Sequence, residues 1–133
     1  MFFAWDIDIA AGTLEAEPII QILKLSAGII VKVEIKFPDG CHGMVKIKLL
    51  RNEAQLIPLN LGNWVTGDAE TVTTPEYYEL SETPTQLKFI GCSPGTTFKH
   101  TITVRITILP KPIASLLPVM DLLTRMMQRL GFI

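Results

Sequence analysis

The sequence predicts an all-β chain, an antiparallel β-sandwich of seven or eight strands followed by one C-terminal amphipathic helix. Three observations carry this expectation. Apolar and polar residues alternate with period two through most of the first 110 positions. Glycine- and proline-bearing turns punctuate that alternation at short intervals. After the proline pair Pro110 and Pro112 the period changes to that of a helix.

The elements follow in order. Phe3, Trp5, Ile7 and Ile9 share one face opposite Asp6 and Asp8, giving a first strand that ends at Gly12. Pro18 to Leu25 is a second apolar run of ambiguous register. Ile29, Val31, Val33, Ile35 and Phe37 alternate with Lys32, Glu34 and Lys36, and the turn Pro38-Asp39-Gly40 closes that strand. Met44 to Leu50 carries Val45, Ile47 and Leu49 inward, and Arg51-Asn52-Glu53 forms a hairpin tip before Gln55 to Leu59. Asn60 to Pro75 reads as a long loop around Trp64 and Val65, holding one short strand. Glu76 to Leu80 and Thr85 to Ile90 are short strands, and Ser93-Pro94-Gly95 turns into the longest one, Phe98 to Leu109. The prolines stop it, since neither can donate to a ladder.

The chain therefore divides into a sandwich, residues 1–110, and a proline hinge with a helix, residues 111–133. Ser115 is the candidate cap, Pro118 falls in the first turn and Gly131 ends the helix. Leu116, Val119, Met120, Leu122, Leu123, Met126, Met127 and Leu130 fall on one arc of roughly 160°. Such a stripe needs cover, from its own sandwich or from a neighbouring subunit. Phe132 and Ile133 extend it.

Composition excludes several classes of function. A net charge of −1 with lysines scattered over strand faces argues against nucleic acid, whose binders cluster Lys and Arg. No run approaches the roughly 18 apolar residues that span a bilayer. Met1 to Trp5 lacks a basic leader and Asp6 and Asp8 interrupt it, so no signal peptide is expected. The expected place is the cytoplasm, or the virion if the protein is viral.

Chemistry-bearing residues are few. Cys41 and Cys92 are too few for a disulfide scaffold and match no zinc spacing, so free thiols are expected, each in a glycine-containing turn. Of the two histidines, His42 sits beside Cys41 in a tight turn, where adjacent side chains point apart. His100 shares its face with four aliphatic residues and reads as a sheet-end histidine bonded to a loop. Asp68 and Glu70 supply too few oxygens for calcium. No catalytic residue, metal site or cofactor is assigned. Trp64, Tyr77 and Tyr78 are the one candidate ligand set, because an aromatic face suits the apolar side of a sugar. The competing reading has Trp64 plugging the sandwich and one tyrosine packing inward.

Several stretches together resemble small all-β virion proteins of tailed bacteriophages. They are Phe37-Pro38-Asp39-Gly40-Cys41, Ile57-Pro58 before the Trp64 loop, Glu76-Tyr77-Tyr78-Glu79-Leu80 and His100-Thr101-Ile102-Thr103-Val104-Arg105. The resemblance spans about residues 3 to 110 and leaves the helix outside it. It implies a jelly-roll-like sandwich acting as a capsid decoration, fibre-base or adhesin-like component, with no catalytic residues. The expected function is non-enzymatic assembly, as a homo-oligomer and with other structural proteins. Its contacts would be made by Leu116, Val119, Met120, Leu123, Met126, Met127, Leu130 and Phe132. The alternative is a carbohydrate-binding module built on Trp64, Tyr77 and Tyr78.

Overall fold

A computed structural model describes residues 1–110 and 116–131. Its strands pair from the ends of the chain inward. β1 (Phe2–Ile9) pairs with β9 (His100–Leu109), and β2 (Ile19–Lys24) with β8 (Gln86–Cys92). β3 (Gly28–Phe37) pairs with β7 (Glu70–Leu80), and β4 (Lys46–Arg51) with β5 (Ala54–Ile57). A two-residue β6 (Val65–Thr66) extends β5's side of β4. All pairings are antiparallel, and they build two sheets of order β1-β9-β3-β7 and β2-β8-β4-β5. One long hairpin of eight strands, rolled up so that partners alternate between sheets, is the jelly roll.

Alternation builds the core as expected. Ile7 and Ile9, Ile47 and Leu49, Leu87 and Phe89, and the even positions Ile102 to Ile108 all point between the sheets and are buried. The intervening residues form polar ladders outside. Asp6 accepts from Thr103 at 2.8 Å and Asp8 from Thr101 at 2.6 Å, each from its direct cross-strand partner. Glu34 lies between Lys32 at 3.2 Å and Arg105 at 3.7 Å.

The structure corrects the sequence reading at several points. In β3 the register slips between Ile30 and Lys32 against both neighbours, a bulge that turns Ile30, not Val31, into the core beside Val33. Residues 70–75 are not loop: β7 runs unbroken through Pro75 and, at 11 residues, is the longest strand, exceeding β9. A proline is tolerated there because β7 is an edge strand, paired only with β3. Cys92 closes β8 rather than sitting in a turn, and β9 begins at His100 rather than Phe98.

The helix α1 (Leu116–Arg129) is present. Asp121 and Arg125 pair across one turn at 2.6 Å. Gly131, at φ +81°, ends it in the left-handed conformation that favours glycine, with its N–H donating to the Gln128 carbonyl. No helix among the described residues is long and apolar enough to cross a membrane.

Candidate functional site

Every described side chain from Asp121 to Gly131 is exposed. Leu122, Leu123, Met126, Met127 and Leu130 range from 45% to 71% exposure, so the apolar stripe is uncovered over its last turns. Of the predicted contact residues, Leu123, Met126, Met127 and Leu130 are thus brought together on one open face. Phe132, Ser115, Lys111 and Pro112 lie outside the described residues, as do the side chains of Leu116, Val119 and Met120.

A second apolar feature lies where the sheets part at the β5–β7 edge. Ile30, Val33, Leu56, Ile57, Leu59, Glu76, Tyr77, Tyr78 and Leu87 line a groove of about 230 Å³. Alternation along β7 sends Glu76 and Tyr78 inward and leaves Tyr77 63% exposed on the rim. Leu59, just past β5, is 76% exposed. Sequence reasoning missed Leu56, Leu59 and Glu76. The expected strand Gln55 to Leu59 stops at Ile57, and the signal lay in Pro58-Leu59-Asn60-Leu61-Gly62, where two leucines sit among turn formers.

The proposed sugar platform is divided between elements. Tyr77 and Tyr78 belong to the β7 edge, whereas Trp64 lies half-buried beneath Lys48, whose Nζ stands 4.2 Å from the ring centroid. That cation occupies one face of the indole.

The opposite feature is a cavity of about 600 Å³ among loops, lined by Pro38 to Gly40, His42, Met44 and residues 95–101. Asp68 ties its wall together. One carboxylate oxygen accepts from the Gly40 N–H at 3.1 Å, and the other lies 3.6 Å from His42 Nδ1. His42 is held at φ +47°. His100 is buried at the end of β9, and its Nδ1 has no hydrogen-bond partner among the described residues, where a bond to a loop was expected.

A cysteine–histidine pair is not activated here. Burial first, then Asp68 and Asp39, pushes the buried Cys41 thiol up, the opposite of what a thiolate nucleophile needs. Burial raises the Cys92 thiol in the same way, with Glu15 adding to it and Lys46 and Lys48 opposing. Both cysteines are free. Among the described residues no cluster of His, Cys, Asp and Glu has the makings of a metal site.

No protein-family model matches the sequence, and no curated protein matches it. Solved structures do resemble it. The Yersinia pseudotuberculosis-derived mitogen aligns over 82% of this chain and 86% of its own, with a TM-score of 0.42 and 10% identity. The structure of Bacillus endospore appendages, a family of disulfide-linked pili, aligns over 82% of this chain and 88% of that one, with a TM-score of 0.33 and 14% identity. Both are distant likenesses of fold.

Proposed function

We propose that this chain is a non-enzymatic structural subunit that works by assembly, a virion-type component seated on a capsid or tail through contacts between copies. The uncovered apolar face of α1 carries this reading. A 14-residue helix is marginal in water by itself, so the element needs cover to persist. Full burial of a Leu or Met is worth roughly 1.5–3 kcal/mol, so covering five half-exposed ones yields about 5 kcal/mol. Association itself costs about 4–15 kcal/mol, so these turns need a fitting apolar acceptor and further contact to give a stable complex. The virion assignment draws on the sequence resemblance and on the jelly roll, an architecture common in capsid domains, though a fold alone names no function.

Light scattering of the full chain across concentration tests the assembly. The expected result is a mass above 14.8 kDa that returns to the monomer value in a chain carrying Leu123→Glu and Met127→Glu. A full chain that stays monomeric at high concentration, with α1 formed, would overturn it. Finding capsid or tail genes beside the coding sequence tests the virion role.

A further inference from the structure

We propose that the groove between β5 and β7 is the seat of α1 from a second copy of this chain, an inference that rests on the assembly role above. The helix presents Leu123, Met126, Met127 and Leu130 at the i, i+3, i+4, i+7 spacing with which a helix anchors in an apolar groove. The groove offers the matching chemistry: Leu56, Leu59 and Tyr78 on its walls and one charged lining residue, Glu76, turned inward. The described part of the helix carries one carboxylate, Asp121, against two guanidiniums, Arg125 and Arg129. Asp121 already holds Arg125, which leaves Arg129, in the last turn, to meet the acidic groove.

Size and edge chemistry select a helix over other occupants. A volume of about 230 Å³ falls below the range of about 300–1,000 Å³ typical of small-molecule sites, and suits a few aliphatic side chains. A second strand partner is disfavoured on β7, because Pro75 has no N–H and the register slips beside it. A helix-into-groove contact joins two different surfaces. Mutual exchange closes it as a dimer with each helix in the other's groove, and otherwise it propagates as a ring or filament.

The test uses the full chain and measures self-association by sedimentation. Leu59 and Tyr77 are mostly exposed, so Leu59→Lys and Tyr77→Lys leave the fold intact, with circular dichroism as the check. Each is expected to weaken association by about tenfold or more, since a cation enters the contact beside Arg129. Glu76→Arg is expected to weaken it similarly, and the pair Glu76→Arg with Arg129→Glu to restore most of the loss. If the helix variants abolish association while the three groove variants leave it within about twofold, the groove assignment falls and assembly by another helix contact stands. If the full chain is monomeric and Leu59→Lys instead exposes its own helix to protease, the groove takes α1 within one chain and the proposal falls.

Discussion

Gly91 is the penultimate residue of β8, paired with Ile19 on one side and Ile47 on the other, where a glycine ordinarily weakens a strand. Its position in the alternation after Leu87 and Phe89 aims any side chain into the core. A Cβ added there would stand 2.7 Å from Ile9 Cδ1 and 2.9 Å from Phe89 Cε1. Both neighbours are fully buried, so neither has space to retreat. Gly91→Ala gains about 0.5–1 kcal/mol from the stiffer unfolded chain. Overpacking a tight core costs about 1–3 kcal/mol, so the clash wins by about 1–2 kcal/mol. For a chain of this size that lowers the melting temperature by about 3–10 °C. Thermal unfolding followed by circular dichroism measures it. Ile9→Val, which removes the closest methyl, should then cost less in the Gly91→Ala background than in the parent, because the two sites share one contact. An alanine chain as stable as the parent, or strictly additive costs, would refute the packing argument.

Three further outcomes follow from groups held at the other end of the sandwich and in its core. Arg51 is buried and donates to the carbonyls of Glu82 at 2.8 Å, Pro84 at 2.5 Å and Gln86 at 3.4 Å, tying the β7–β8 loop to β4. Arg51→Met should cost about 2–3 kcal/mol in urea unfolding, and Arg51→Lys should recover only part, since an ammonium does not span three acceptors; an unchanged midpoint in the methionine chain would sink this. The buried Cys41 and Cys92 should resist maleimide labelling at neutral pH until the chain unfolds. Their folded thiols titrate above the ordinary value of about 8.5, so the unfolded chain loses these protons first as pH rises. Stability from this source is complete below that value and falls above it, and Cys41→Ala with Cys92→Ala should flatten the alkaline limb.

Period-two alternation reveals which face of each strand is buried, because in a sandwich one face meets the other sheet and the other meets water. That is why the inward sets on β1, β4, β8 and β9 could be read directly. Partnership is another matter. β1 pairs with β9 across nearly the whole chain, and no local pattern records that. The slip at Ile30 escaped because Val31 continues the alternation in letters while the backbone inserts an extra residue. Pro75 was misread for a related reason: proline stops a central strand, and only the sheet order shows that β7 is at an edge. The helix was legible from its 3.6-residue period, but its acceptor was not. The groove joins Leu56 of β5 and Leu59 just past it to Glu76 and Tyr78 of β7, and those two strands neither pair with each other nor belong to one sheet. Sequence left Trp64 with two readings, packed or ligand-facing, and only the fold of β4 reveals Lys48 over its ring.

A jelly roll leaves its edge strands open, and the edges here are treated differently. On β1 the inward Phe3 and Trp5 stack in parallel at 6.0 Å and pack on the core with Ile19 of β2, so the space inside that edge is filled. Its outward residues, Asp6 and Asp8, place charge along the rim, which discourages another strand from adding there. On β7 the backbone is defended instead. Pro75 removes a donor, the adjacent register slip bends the ladder, and Glu76 points inward, three devices within two residues that all oppose edge-to-edge pairing. Yet the apolar space inside this edge is left unfilled, and Leu59 and Tyr77 stand exposed beside it. An edge closed to strands and open to side chains selects against uncontrolled sheet growth while keeping one specific contact available. A helix satisfies its own backbone and brings only side chains, so it meets that requirement where a strand does not.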